Sequence, residues 1–440
     1  GPFADLTGPV TIDGTTQPGW VDDPIIGIDG TGYAAGPGDG DDGFELLSDD
    51  SAVIGLSIYG FADELIKVTA DRVVIRSSWF GVSPVGTAVT SSTLTSTPHA
   101  LQVSGDDFVF GGPTDADGNV VAANSDDLAI TSTSARALVE NNHFGVAGDG
   151  TSALGTATDY ALLLRGSSVD TVVRDNQFGN LPSGAIRIDG SAAATIVGNL
   201  FGTDPSLTAS LPIDEAIVVR DAAVVRFGGT GAGEGNTVRN ATTDAVEHSS
   251  GATGTVAVLG NSIAGSADLG IDLDQNGVTA NDAGDADTGP NGLLNFPVIT
   301  SATISAGTVT VDYAFDAPAG DYRIEFFLNP SGADPSGHGE GETFLQAESI
   351  THTGSGAESF STSFSGSLGQ LLTATATEDL GGGGYGATSE FSAVATVIVP
   401  NLAVNSTGDG GDATPGDGTC DTGGTNADGD PECTLRAAIE

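Results

Sequence analysis

The chain contains no methionine, one lysine, Lys67, and two cysteines in 440 residues. Basic residues are scarce: 12 Lys+Arg stand against 59 Asp+Glu, a formal net charge of -47. Such a surface cannot neutralise phosphates, which excludes nucleic acid as a partner. It is also repelled by anionic lipid. No apolar run is long enough to span a bilayer, so membrane insertion is not expected. No signal-peptide pattern is present, and the chain starts inside a motif, "GPFADLTGPVTIDGTTQPGW", as a processed product or a piece of something longer would. Aromatic residues are 6% of the total. Trp20, Trp79, Tyr33 and Tyr59 could stack on sugars, but so few rings are more simply read as core or turn packing.

What the chain has in quantity is acid and glycine, 66 Gly in all. An acidic, lysine-poor composition fits a secreted protein in salty or calcium-containing water, where divalent cations offset self-repulsion; solubility alone is the plainer explanation. The two cysteines, Cys420 and Cys433, have no second Cys or His cluster nearby, which favours a disulfide in an oxidising compartment over a metal pair.

Residues 1–297 read as many short strands, among them "VVIRSSWFG", "ALLLRG", "AIRIDG" and "AIVVRD", each bounded by Gly, Asn or Asp. No helical period persists. A repeat runs through them: Ser78-Trp79-Phe80-Gly81, Asn142-His143-Phe144-Gly145, Asn176-Gln177-Phe178-Gly179, Asn199-Leu200-Phe201-Gly202 and Asn261-Ser262-Ile263. The shortest interval, 23 residues from Asn176 to Asn199, is about one coil of a parallel β-helix. Stacked coils would place the asparagines in a hydrogen-bonded ladder and the phenylalanines inside. The alternative is an ordinary β-sandwich with chance Asn-x-Phe turns. Residues 298–398 hold seven strand-like runs separated by turn signals, the pattern of an immunoglobulin-like β-sandwich without its cysteine pair. Residues 399–440 are a Gly/Asp/Thr-rich tail.

Together "TGPVTIDGTTQPGW", the coils of form FG-x4-GTA, "NGLLNFPVIT", "YRIEFFLNPSG" and "TATATEDLGGGGYGATSEFS" resemble large bacterial surface proteins built of right-handed parallel β-helix repeats. The end, Cys433-Thr434-Leu435-Arg436-Ala437-Ala438-Ile439-Glu440, resembles the CSLREA-type cysteine segment of that family. The resemblance implies a right-handed β-helix, then the sandwich, then the cysteine-containing tail. In that family the cysteine segment usually precedes a β-helix, whereas here it comes last. The tail therefore looks like the opening of a unit whose body lies in another copy.

Physical reasoning agrees. A solenoid leaves open edges at its ends that need caps. Leu435, Ala438 and Ile439 form one apolar stripe at i, i+3 and i+4, with Thr434 as cap, on a helix too short to stand alone. They are the expected subunit contact. A head-to-tail contact that does not close gives a filament. The alternative is that the tail caps its own chain.

The richest acidic segment, "GIDLDQNGVTANDAGDADTGPNG", offers Asp272, Asp274, Asn276, Asp282, Asp285, Asp287 and Asn291 as hard oxygen ligands, so structural Ca2+ is expected there. It lacks the twelfth-position Glu of an EF-hand, and a solvated linker is the simpler alternative. Weaker candidates are Asp39, Asp41 and Asp42, then Asp115, Asp117 and Asn119, then Asp409, Asp412, Asp417 and Asp421. For catalysis, the solenoid arginines are scattered, with Arg174 and Arg187 expected to pair with Asp175 and Asp189. Paired acids such as Asp106-Asp107 face opposite ways on a strand. The expectation is a non-enzymatic extracellular cell-surface protein, a fibre unit that joins copies of itself. The alternative readings are a glycan-binding adhesin or a polysaccharide lyase or hydrolase.

Overall fold

The computed structural model describes residues 3, 5–31, 42–61, 63–88, 99–122, 127–131, 133–154, 159–400, 404–415, 420–426 and 429–439. Of the weaker site candidates, Tyr33, Asp39, Asp41 and Asp417 lie outside these residues. The described part is nearly all β, with a right-handed parallel β-helix of nine coils followed by an antiparallel sandwich.

Each coil contributes one short strand to each of three parallel nine-stranded sheets. The first sheet runs from Thr11–Asp13 to Thr255–Leu259, the second from Ile26–Asp29 to Ser262–Ala264, and the third from Phe44–Leu46 to Ile271–Leu273. Strands this short hold because every coil repeats the same alternation in register. In the second sheet one interior column reads Ile58, Phe80, Val121, Phe144, Phe178, Phe201, Val238, Ile263. The rings of Phe144, Phe178 and Phe201 stack 4.8 and 4.9 Å apart, nearly parallel. Each such side chain buries area worth about 1.5–3 kcal/mol.

Between the first and second sheets the chain turns sharply. The turn residue is left-handed in coil after coil: Ser77, Asn141, Asp175, Gly198 and Gly260 all have φ between 52° and 67°. Asn, Asp and Gly tolerate that region best, which explains their recurrence there. The next residue points inward and forms the ladder. Asn119 Nδ2 donates to Asn142 Oδ1, Asn142 to Asn176, Asn176 to Asn199, Asn199 to Asn236 and Asn236 to Asn261, each at 2.9–3.0 Å. Each Oδ1 also accepts the backbone N–H of the preceding rung, so these buried amides are satisfied on both sides. The expected ladder exists and has two more rungs, Asn119 and Asn236. They were hidden because Val121 and Val238 stand two residues after them, where Asn142, Asn176 and Asn199 have phenylalanine. The interval from Asn199 to Asn261 is therefore two coils.

Val298–Ser305 opens the antiparallel region. Three strands, Val298–Ser305, Thr308–Phe315 and Glu358–Ser365, form one sheet. Five strands form the other, centred on Gly320–Leu328 and Leu371–Gly381. Val309, Val311, Tyr313 and Phe315 from the first sheet pack with Ile324, Phe326, Leu372, Ala374 and Ala376 from the second in one core. The segment "GGGGYGAT", one of the turn signals between the strand-like runs, does more than turn. It supplies the strand Gly384–Thr388, in a hairpin with Leu371–Gly381. Gly381, Gly382 and Gly383 take the positive φ of the bend, so the glycines make the turn and the residues after them return along the partner strand.

Candidate functional site

The two ends of the solenoid are finished differently. At the C-terminal end, side chains of the sandwich and of the segment leading into it accept the N–H groups that the last coil would otherwise present to solvent. The Asn291 carboxamide accepts from Val256 N at 2.8 Å and donates to Val256 O at 2.7 Å, completing the first sheet as a further strand would. Thr388 Oγ1 accepts from Val258 N and Glu325 Oε2 from Gly260 N, both at 2.8 Å. Glu340 accepts from Gly265 N and Ser266 N, and Glu390 from Leu273 N and Thr279 N. All three glutamates are buried, and burial raises each carboxyl, Glu390 to about 7. Phe327 and Phe391, in edge contact at 5.4 Å, plug the hollow and join the solenoid core.

At the N-terminal end the cover among the described residues is partial: Phe3 stacks on Phe44 at 5.0 Å and Leu6 bridges to Leu46, so the third-sheet strand of the first coil is buried, but its first- and second-sheet strands are not. Ile12, Ile26 and Ile28 are half-buried, whereas their register partners one coil inward, Val53, Leu56 and Ile58, are buried.

The tail residues fold around Cys420–Cys433, which form the expected disulfide. Asn405 Oδ1 accepts from Cys433 N, Arg436 pairs with Asp409 through two nitrogens, and Thr434 Oγ1 accepts from Ala437 N to cap the helix Leu435–Ile439. Ala437 is the residue buried against the tail. Leu435 and Ile439 are 63% and 76% exposed, and Ala438 is partly buried, so the expected stripe faces outward.

The seven acidic-segment candidates do not form one site. Asp272 sits on the last third-sheet strand, where its carboxylate accepts the N–H groups of Asn276 and Gly277. Asn276 Nδ2 donates to Asp274 Oδ2. Asn291 is committed to Val256 and Thr388, which removes it from the metal set. Asp282, Asp285 and Asp287 do converge, with carboxylate oxygens within 4.8 Å of one another. Burial lifts Asp285 to about 6, with the charges of Asp287 and Asp282 adding to it, and Asp287 Oδ1 is buried without a partner. These three fit an oxygen-ligated cation.

Asp117 of the weaker candidates pairs with Arg76 at 2.6 Å, while Asn119 is a ladder rung. Arg187 pairs with Asp189 as expected, but Arg174 reaches Glu140 rather than Asp175, because Glu140 is its register partner on the neighbouring coil while Asp175 occupies the left-handed turn. Asp106 and Asp107 are both held by Arg136 across the coil.

Sequence reasoning missed an acid-lined pocket of about 630 Å³ where the third sheet meets the sandwich. Its lining includes Glu215, Asp244, Glu247, Asp268, Asp272 and Asp334. Glu215 and Asp244 each stand two residues before a third-sheet strand, and Glu247 and Asp272 are register partners one coil apart. Burial lifts Glu215 to about 8 and Asp244 to about 7, with neighbouring acids reinforcing both. Glu215 and Asp334 are 7% and 8% exposed, and Glu215 Oε2 and Asp334 Oδ2 have no hydrogen-bond partner. The signal was present as an acid recurring before each third-sheet strand in "DEAIVV", "DAVEH" and "DLGIDL", legible only once the coil register is known.

No known family matches the chain, and no curated protein matches it. Two solved structures are similar in fold. The tailspike protein 2 enzymatically active domain of bacteriophage CBA120 matches with a TM-score of 0.34 and 12% identity, over 88% of this chain and 66% of that one. Full-length tailspike protein 2 from an Escherichia coli O157:H7 bacteriophage matches with a TM-score of 0.29 and 12% identity, over 79% and 60%. This chain thus spans less than two thirds of the tailspike chains. The expectation that it has no enzymatic activity does not stand, because a protein described as an enzymatically active domain is among its structural matches. A likeness this distant identifies no reaction, substrate or residue here, and the CSLREA likeness rests on the tail residues alone.

Proposed function

We propose that this chain is an extracellular surface protein, a unit of a structural fibre in which the tail of one copy seats on the first coil of the next. The observation that carries this reading is the asymmetry of the solenoid. One end is closed by the chain's own sandwich, the other leaves apolar side chains half-covered, and the tail helix presents Leu435 and Ile439 to solvent. The half-covered side chains of the first coil and an apolar stripe of matching character are complementary, and their join would be heterologous and non-closing. The disulfide supports an oxidising, extracellular setting. Ca2+ at Asp282, Asp285 and Asp287 braces the segment between solenoid and sandwich.

Electron microscopy of the native material tests it, alongside the Leu435→Asp variant. Filaments with an axial repeat of one solenoid plus one sandwich are expected for the native chain and single particles for the variant. Native material dispersed as single particles overturns the reading.

A second reading is favoured by the acid-lined pocket: binding or cleavage of a glycan there. Glu215 retains its proton at neutral pH, as a general acid must, and ionisable partners line the same wall. Loss of glycan binding or reducing-end release in Glu215→Gln tests that reading; an unchanged variant removes it.

A further inference from the structure

The turn position that carries Glu215 and Asp244 near the sandwich carries Asp42 and Glu64 at the opposite end. Phe44 pairs with Ile66 across the first two coils, so Asp42 and Glu64, each two residues earlier, stack in the same register. Asp63 adjoins them. Carboxylate oxygens of Asp42, Asp63 and Glu64 all lie within 4.8 Å of one another. Oxygens bound to one calcium ion at about 2.3–2.6 Å span that distance.

A second observation points to a ligand. Asp42 is only 5% exposed, and its Oδ1 has no hydrogen-bond partner. A buried carboxylate oxygen without a partner is costly, and a cation is the partner that three converging carboxylates select. The charge count agrees. Lys67 Nζ stands 3.9 Å from Asp42 Oδ2 and 4.0 Å from the more exposed Glu45 Oε1. Counting Glu45, four carboxylates share one ammonium, and Glu64, raised to about 9 chiefly by burial and next by its hydrogen bonds to Asp42 and Asp63, holds a proton there that a divalent ion would displace.

We propose that Asp42, Asp63 and Glu64 form a divalent-cation site, of the calcium class, that staples the first coil of the solenoid to the second. The site is separate from Asp282, Asp285 and Asp287, and it holds whether or not the chain forms fibres. Its effect is local: the ion joins the turns that feed the paired strands Phe44–Leu46 and Ile66–Val68.

Hydrogen exchange on the full chain, in chelator and in millimolar Ca2+, tests the staple. Amides of Phe44–Leu46 and Ile66–Val68 are expected to exchange at least about tenfold more slowly with Ca2+, the effect of about 1.4 kcal/mol on local opening. Glu64→Gln and Asp63→Asn are expected to abolish that slowing, whereas Asp285→Asn keeps it. Calorimetric titration with Ca2+ should show one ion fewer per chain in Glu64→Gln. Native exchange indifferent to Ca2+ overturns the proposal without recourse to any variant. Slowing that persists in both Glu64→Gln and Asp63→Asn overturns it as well.

Discussion

The first and ninth coils have the same sheets and the same alternation, yet the first- and second-sheet strands of the first coil are less dry inside than those of the ninth. Val256, Val258, Ile263, Ile271 and Leu273 are buried, while Ile12, Ile26 and Ile28 are not. The difference lies in the domain stacked on the ninth coil. Eight N–H groups on or beside the last strands find acceptors in Asn291 of the linking segment and in Thr388, Glu325, Gly341, Glu340 and Glu390 of the sandwich. A solenoid end is therefore a surface to be satisfied, and a second domain can supply acceptors by side chain where another coil would supply them by backbone.

Removing the plug should make the two ends alike. Phe391→Ala empties a buried position shared with Phe327 and is expected to cost about 3–5 kcal/mol in denaturant unfolding. A loss below about 1 kcal/mol would show that the sandwich contributes no core to the solenoid.

Acidity sharpens the comparison from the other side. Glu390 sits at about 7 in the fold against an ordinary 4.5. Between these values the folded chain holds the proton and the unfolded chain has lost it, so this group's contribution falls as pH rises through the window. The loss approaches about 3 kcal/mol, at about 1.4 kcal/mol per pH unit. Glu390→Gln should flatten the stability-against-pH curve by that amount between those two values. An identical slope in the variant would refute the assignment.

The disulfide should act on the tail alone. Reducing Cys420–Cys433 releases a short loop worth roughly 3 kcal/mol, and exchange in 404–439 should rise while the ladder amides stay protected. Loss of ladder protection on reduction would mean that the tail holds up the solenoid. The smallest expected effect is Ile439→Asp. At an exposed position it should shift unfolding by less than about 0.5 kcal/mol, while removing any end-to-end association seen by light scattering.

The solenoid was legible because its rule is local. Asn142, Asn176 and Asn199 announce their coils through the phenylalanines beside them, and the apolar stripe on the tail helix comes from spacing. The sandwich strands were legible from alternation, apart from Gly384–Thr388 behind its glycines. The sites were less so, for a physical reason. Glu325, Glu340 and Glu390 act on strands far away in sequence, and the acids at 42, 63 and 64, like those at 215, 244 and 272, meet only after the coils stack. Asn291 shows the converse: an apparent ligand in an acidic segment whose real partner is a strand edge. One-dimensional proximity overstated the calcium segment and understated the register position two residues before the third sheet.

The asparagine ladder has a consequence for how such a chain can change. Its rungs are separated by 23, 34, 23, 37 and 25 residues. Yet every pair closes at 2.9–3.0 Å. The rung sets the rise per coil, and the chain between rungs is free to lengthen at a small entropic cost. The molecule thus behaves as a rod of constant pitch with adjustable side branches, in which new loops can be tried at any coil without disturbing the axis.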